Sequence, residues 1–266
     1  MLQLLNVKVV THTKMKESYD GTPAGAPGRL DSAFKTLESY SHYEVIEARP
    51  ATREEILRAH DPHVLREVKH DSEYIRSNLL AEMAALAAGG SIQTARISLG
   101  GEPAFGLLRP PGHHASRGTY WGFCYYNNVC ISLLDLLADK KIESAFILDF
   151  DLHEGDGNIN ILGHRKGIAI HNPRGHGDEA YLADVKRSLD ASPDVDIIAA
   201  SAGFDQYEKC WGSNLTTEAF GKIGQLMFEF AEQNCDGRRY AILEGGYNHE
   251  DLGKNIHAFC EGLMGE

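Results

Sequence analysis

The segment DFDLHEGDG (residues 149–157) constrains this chain more than any other, because it follows directly on Ala145-Phe146-Ile147-Leu148. A short apolar run without polar alternation has the pattern of a strand buried on both faces. In doubly wound sheets, ligands gather at the carboxyl ends of such strands. Asp149, Asp151, Glu154 and Asp156, with the imidazole of His153, crowd into that turn. Buried without compensation, so much charge is costly, and a bound cation would compensate it.

Further runs of the same kind follow at 7–11, 43–47, 104–109, 167–171, 196–201 and 240–244. They alternate with helical patterns, the signature of a parallel sheet covered by helices. Thr52 and Glu55 make a capping box that opens a helix around Ile56. Residues 77–98 read as one or two helices broken at Gly89-Gly90, and 128–138 as a helix with Val129 and Leu133 facing the core. Thr216 or Thr217 caps the next helix, with Phe220, Ile223, Met227 and Phe230 along one face. No repeat or linker divides the 266 residues, so one domain spanning 1–266 is expected.

The strand ends carry the information. The run 104–109 leads into Arg109-Pro110-Pro111-Gly112-His113-His114, and 196–201 leads into Ala202-Gly203-Phe204-Asp205. The run 240–244 leads into Gly245-Gly246-Tyr247. Together with 145–149, these turns are polar, ionisable or glycine-rich, as one catalytic rim requires.

A net charge of −12 argues against nucleic acid, whose phosphates need basic patches. It mildly favours cationic substrates, although acidity also serves solubility alone. Five cysteines without CxxC spacing point to free thiols in a reducing, cytoplasmic setting. No apolar run approaches the roughly 18–20 residues of a membrane span, and no signal-peptide pattern opens the chain.

Side chains at i and i+2 of an extended segment share a face, so Asp151 and His153 can reach one ion, with Asp205 as a third ligand. Two carboxylates and an imidazole leave a position open for water, as in catalytic zinc sites, and also suit Fe²⁺, Co²⁺ or Mn²⁺. Alone, D-x-D-x-H serves equally well as a solvated turn. His113 and His114 follow Pro-Pro-Gly, where two core histidines would both need buried partners. Asp149 and Asp156 are available acceptors for acid–base work, the alternative being two histidines at a loop tip. Tyr247 follows two glycines and could donate to a developing oxyanion, or simply pack at a turn. Phe123, after Gly122, could wall a channel or belong to the core. HExxH, GxSxG, P-loop and GxGxxG motifs are absent.

RPPGHHA (109–115), GFCYYNN (122–128), DFDLHEGDG (149–157), SAGFD (201–205) and LEGGY (243–247) together resemble the zinc-dependent histone deacetylase family in order and rough spacing. That family includes acetylpolyamine amidohydrolases and acetoin-utilisation proteins, and LEGGY is most similar to its class II and bacterial branches. The resemblance implies an arginase-like, three-layer α/β/α fold with a mainly parallel sheet, and one catalytic Zn²⁺ held by Asp151, His153 and Asp205. It implies His113 and His114 as the tandem histidines, partnered by Asp149 and Asp156, and Tyr247 as the group that polarises the carbonyl. Gly122, Phe123 and the Gly245 backbone resemble the channel lining. The implied reaction is hydrolysis of an acetylated amine, a small molecule or a lysine side chain, to acetate and free amine.

Four departures are visible. Glu154 stands where the family usually has a second His, and Ala169 where a hydroxyl commonly helps hold a cation, which leaves a structural K⁺ doubtful. The segment 171–178 is short and lacks a second channel aromatic, so the channel is expected to be more open or completed by another loop. Gly25-Ala26-Pro27-Gly28 replaces the His-Pro-Glu-type segment. Rival readings are a hydrolase of another small amide or acyl group, a catalytically idle acyl-binding scaffold, and an arginase-like dimanganese enzyme.

Overall fold

The computed structural model describes residues 6–75 and 79–266. Its centre is a seven-stranded sheet, β1 (Val7–Thr11), β2 (Tyr43–Glu47), β3 (Ala104–Gly106), β4 (Ala145–Asp149), β5 (Ile168–His171), β6 (Ile198–Ala202) and β7 (Arg239–Leu243). All pairings are parallel, in the order β2-β1-β3-β7-β6-β4-β5. The four strands expected to end in functional turns are therefore contiguous at the middle of the sheet. β4, β6 and β7 are buried along their whole length, as their largely apolar sequences require.

The helices are α1 (Asp31–Ser39), α2 (Arg53–Leu57), α3 (Pro62–Tyr74), α4 (Leu79–Ser98), α5 (Asn128–Ala138), α6 (Asp156–Leu162), α7 (Asp178–Asp190), α8 (Thr217–Asn234) and α9 (Leu252–Met264). One group, α3, α4 and α5, packs together, and α1, α7, α8 and α9 form a second, giving the expected three-layer α/β/α arrangement. The capping box at Thr52 and the cap at Thr216 form as the sequence predicts. None of the described helices is long and apolar enough to cross a membrane.

Two expectations need correction. Helix α4 runs unbroken through Gly89-Gly90; the start of the expected 77–98 segment lies outside the described residues. Here glycine permits close packing rather than ending a helix. A Cβ on Gly89 would lie 2.1 Å from the Arg49 carbonyl, and one on Gly90 would lie 2.8 Å from Leu108 Cδ2. The strand expected over 104–109 ends at Gly106. Beyond it the buried Arg109 side chain turns to the backbone carbonyls of Ala26 (2.9 Å), Ala24 (3.2 Å) and Glu17, drawing the chain out of the ladder.

Behind the rim, Phe150 and Phe204 meet edge to face at 5.8 Å and pack with Phe220 and Phe259. Phe150 sits between Asp149 and Asp151, and Phe204 precedes Asp205. Burying these two rings therefore fixes which way the neighbouring carboxylates face.

Candidate active site

Asp151 and Asp205 stand at the ends of adjacent strands, β4 and β6, and His153 completes a cluster whose ligand atoms lie within 4.8 Å of one another. His153 Nδ1 is 3.2 Å from Asp151 Oδ1 and 3.3 Å from Asp205 Oδ2. Each carboxylate is anchored by backbone. Gly245 N–H donates to Asp151 Oδ2 (2.8 Å), and Leu152 N–H to Asp205 Oδ1 (2.9 Å). A Cβ at Gly245 would lie 2.6 Å from Asp151 Oδ2 and 2.7 Å from Asp205 Oδ2, so only glycine fits there.

This donor set fits a divalent cation. Asp205 Oδ2 is buried, with the His153 ring at 3.3 Å facing it and, among the described residues, no backbone or other side-chain donor. Burial and the nearby Asp151 push the Asp205 carboxyl up to about 6. Hydrogen bonds to Asp151 and Asp205 raise His153 to about 10, so a proton on that ring supplies the positive charge the carboxylates demand. A divalent ion would supply positive charge at the same place, and more of it. Fixed oxygens and one imidazole that keep an approach open suit zinc, and tolerate Fe²⁺ or Co²⁺.

Beside this cluster lie the tandem histidines, with ring centroids 4.0 Å apart. His113 Nδ1 is 3.3 Å from Asp149 Oδ2, which also accepts from Asn158 Nδ2 at 2.9 Å. His114 Nδ1 is 2.6 Å from Asp156 Oδ1. Burial disfavours charge on His113, but Asp151 and Asp149 outweigh it and hold the ring well above the ordinary imidazole range. His114 goes the other way: burial and the neighbouring His113 charge push it down to about 4.

Tyr247 closes the site. Burial raises its phenol far above the usual range, so the hydroxyl keeps its proton. The Arg29 guanidinium lies 5.1 Å from its ring and donates to the carbonyls of Gly246 (3.0 Å) and Glu244 (2.6 Å), fixing the turn. Phe123 meets Tyr247 edge-on at 6.1 Å. With Pro111, Gly122 and Gly245, these rings line a cavity of about 170 Å³ above Asp151 and His153.

All the residues singled out from sequence thus converge on one rim. Several others there were not singled out. Trp211 stacks on Tyr247 at 4.2 Å and Trp121 on His114 at 4.1 Å. They are the chain's only two tryptophans, and both are half-exposed at the cavity. That rarity was the available signal, since a half-exposed indole is a common anchor of binding sites. Trp211 resolves the short 171–178 segment: the far wall of the channel comes from the loop after β6. Glu154 points outward and pairs with Arg174 at 2.9 Å, away from the ligand cluster. Glu244, fully buried, accepts from the amides of Gly112 (2.6 Å) and His113 (3.1 Å), tying β7 to the histidine turn.

The chain matches the histone deacetylase domain over two overlapping stretches, residues 24–181 and 163–263. It belongs to the histone deacetylase family. A probable deacetylase of Archaeoglobus fulgidus is 31% identical, aligned over 77% of this chain and 70% of that protein. A second, from Methanothermobacter thermautotrophicus, is 30% identical over 69% and 65%. The polyamine deacetylase HDAC10 of Danio rerio is 26% identical over 90% of this chain and 44% of its own length. The crystal structure of the HDA15 HD domain superimposes with a TM-score of 0.86, covering 98% of this chain and 90% of that one at 23% identity. The likeness in fold extends across nearly the whole chain, whereas the eukaryotic relative is more than twice as long as the part it shares.

Proposed function

We propose that this chain is a zinc-dependent deacylase that hydrolyses N-acetylated amines, acetyl-lysine or acetylpolyamine in type, to acetate and the free amine. One observation carries the reading: the Asp151–His153–Asp205 cluster lies beside two His–Asp pairs and a protonated phenol, all facing one aromatic cavity. Residues 1–266 would act as a single catalytic domain, and the five free thiols support a reducing, cytoplasmic setting.

Asp151, His153 and Asp205 would hold the ion, which contributes Lewis acidity and brings the pKa of its water down towards about 7. The chain's own groups do the rest. Phe123 and Trp211 grip the slender part of the acyl amine and exclude water. Tyr247 Oη–H donates to the carbonyl oxygen as it gathers negative charge, a contribution of about 10²–10³ in rate at comparable sites. His114, neutral and oriented through Nδ1 by Asp156, takes the proton of the attacking water at Nε2 and returns it to the leaving nitrogen. His113, held protonated between Asp149 and Asp151, lends positive charge to the same transition state. Two imidazoles with opposed environments thus separate proton transfer, at His114, from electrostatic support, at His113.

Metal analysis of the purified protein, followed by turnover assays with acetyl-lysine peptides and acetylated polyamines, tests the reading. Bound zinc without hydrolysis of any acyl amine, and no cellular phenotype of Tyr247→Phe, would leave only a scaffold. Two metals per chain with release of urea would point instead to arginase-like chemistry.

A further inference from the structure

The turn that carries Trp121 has an unusual backbone. Gly122 and Phe123 both adopt positive φ, +60° and +66°, and Cys124 N–H donates to the Trp121 carbonyl at 3.0 Å. This is the pattern of a type I′ turn, with a phenylalanine where glycine or asparagine is preferred. Strain of this kind persists only where the surroundings enforce it, and it collects at functional sites. The enforcing contact is with His114: a Cβ on Gly122 would lie 2.4 Å from His114 Cδ2. The turn therefore folds down onto the imidazole and delivers the Trp121 indole against it, with ring centroids 4.1 Å apart at 33°.

The indole also reaches past His114. Its Nε1–H donates to Asp156 Oδ2 at 2.9 Å, while Asp156 Oδ1 faces His114 Nδ1 at 2.6 Å. Asp156 begins helix α6, and its side chain is 46% exposed; among the described residues its side-chain partners are His114 on Oδ1 and Trp121 on Oδ2. The other pair differs: Asp149 is fully buried and fixed by Asn158. Trp121 supplies for the exposed pair what burial supplies for the hidden one. It donates a hydrogen bond that fixes the carboxylate, and its ring covers one side of the dyad from water, which strengthens the remaining hydrogen bond.

We propose that Trp121 is a positioning residue for His114, acting through the Asp156 carboxylate. The inference rests on His114 being the base in the proposed reaction. Replacing Trp121 by β-(3-benzothienyl)-alanine keeps the ring's shape and stacking but removes the N–H donor. In the zinc-loaded enzyme this isostere lowers kcat about tenfold, the scale of one charge-assisted hydrogen bond near solvent, with KM and melting temperature unchanged. In an Asp156→Ala background the same replacement changes kcat less than about twofold, because residues acting as a unit are not additive. A separate readout needs no turnover. The chain has two indole N–H signals, and Asp156→Ala moves that of Trp121 upfield while leaving that of Trp211 in place. An unchanged kcat in the isostere, an equal loss in both backgrounds, or an indole signal indifferent to Asp156 overturns the proposal. Wild-type protein inactive on every acyl amine overturns the proposed function instead, and the indole signal then decides the positioning contact alone.

Discussion

His113 and His114 are adjacent in sequence with rings in near contact, yet the molecule treats them as two different reagents. His113 lies in the floor of the site between fully buried carboxylates, and its charge is held on. His114 lies under an indole, paired with a carboxylate at the edge of solvent, and its charge is held off. The residue type is the same and the partner type is the same. What differs is how many carboxylates each ring faces and how far water reaches. The surroundings of a tandem-histidine motif, rather than its sequence, thus set the charge on each ring.

The comparison can be broken most completely by removing what both rings serve. Stripping the metal with a chelator is expected to abolish turnover, and Zn²⁺ or Co²⁺ should restore it; persistent turnover in metal-free protein would refute the ligand assignment. His114→Ala should lower kcat by about 10²–10⁴, the range of general acid–base catalysis, with metal content unchanged. Tyr247→Phe should lower kcat about 10²–10³ and leave substrate binding nearly intact, as measured by KM.

The two carboxylates then separate burial from exposure. Asp149→Asn removes the hydrogen-bonded one of the two carboxylates that face the buried, charged His113 and should destabilise the fold by about 3 kcal/mol. That is a fall of about 5–6 °C in melting temperature for a chain of this size. Asp156→Asn should cost less than about 1 kcal/mol, because Asp156 is half-exposed and its buried partner His114 is held uncharged, while kcat still drops. Equal losses of stability in the two variants would show that the environments do not divide the pair.

Much of this site was legible in the sequence, for identifiable reasons. Asp151 and His153 follow from the two-residue period of an extended chain, and the central strands from unbroken apolar runs. Asp205 could be nominated as a ligand, but its approach to Asp151 depends on β4 and β6 being neighbours, which sequence order does not determine. The pairing of β3 with β7 joins segments more than a hundred residues apart and, with Glu244 on the Gly112 and His113 amides, brings His113 to Tyr247. Gly89-Gly90 misled because glycine's local cost in a helix is small beside the packing it allows. Trp121 and Trp211 went unread because nothing local marks an indole as facing a ligand.

Trp211 and Asp205 occupy one short loop, closed by the Gly212 amide on the Asp205 carbonyl at 2.8 Å and tied by the Asn214 side chain to Gly175 and Gly177. The width of the entrance and the placing of the Asp205 carboxylate, a ligand in the proposed function, are therefore mechanically linked. A mutation that remodels the doorway for a bulkier guest would tug on Asp205, so under the proposed function a change of substrate range is expected to carry a change in ion affinity.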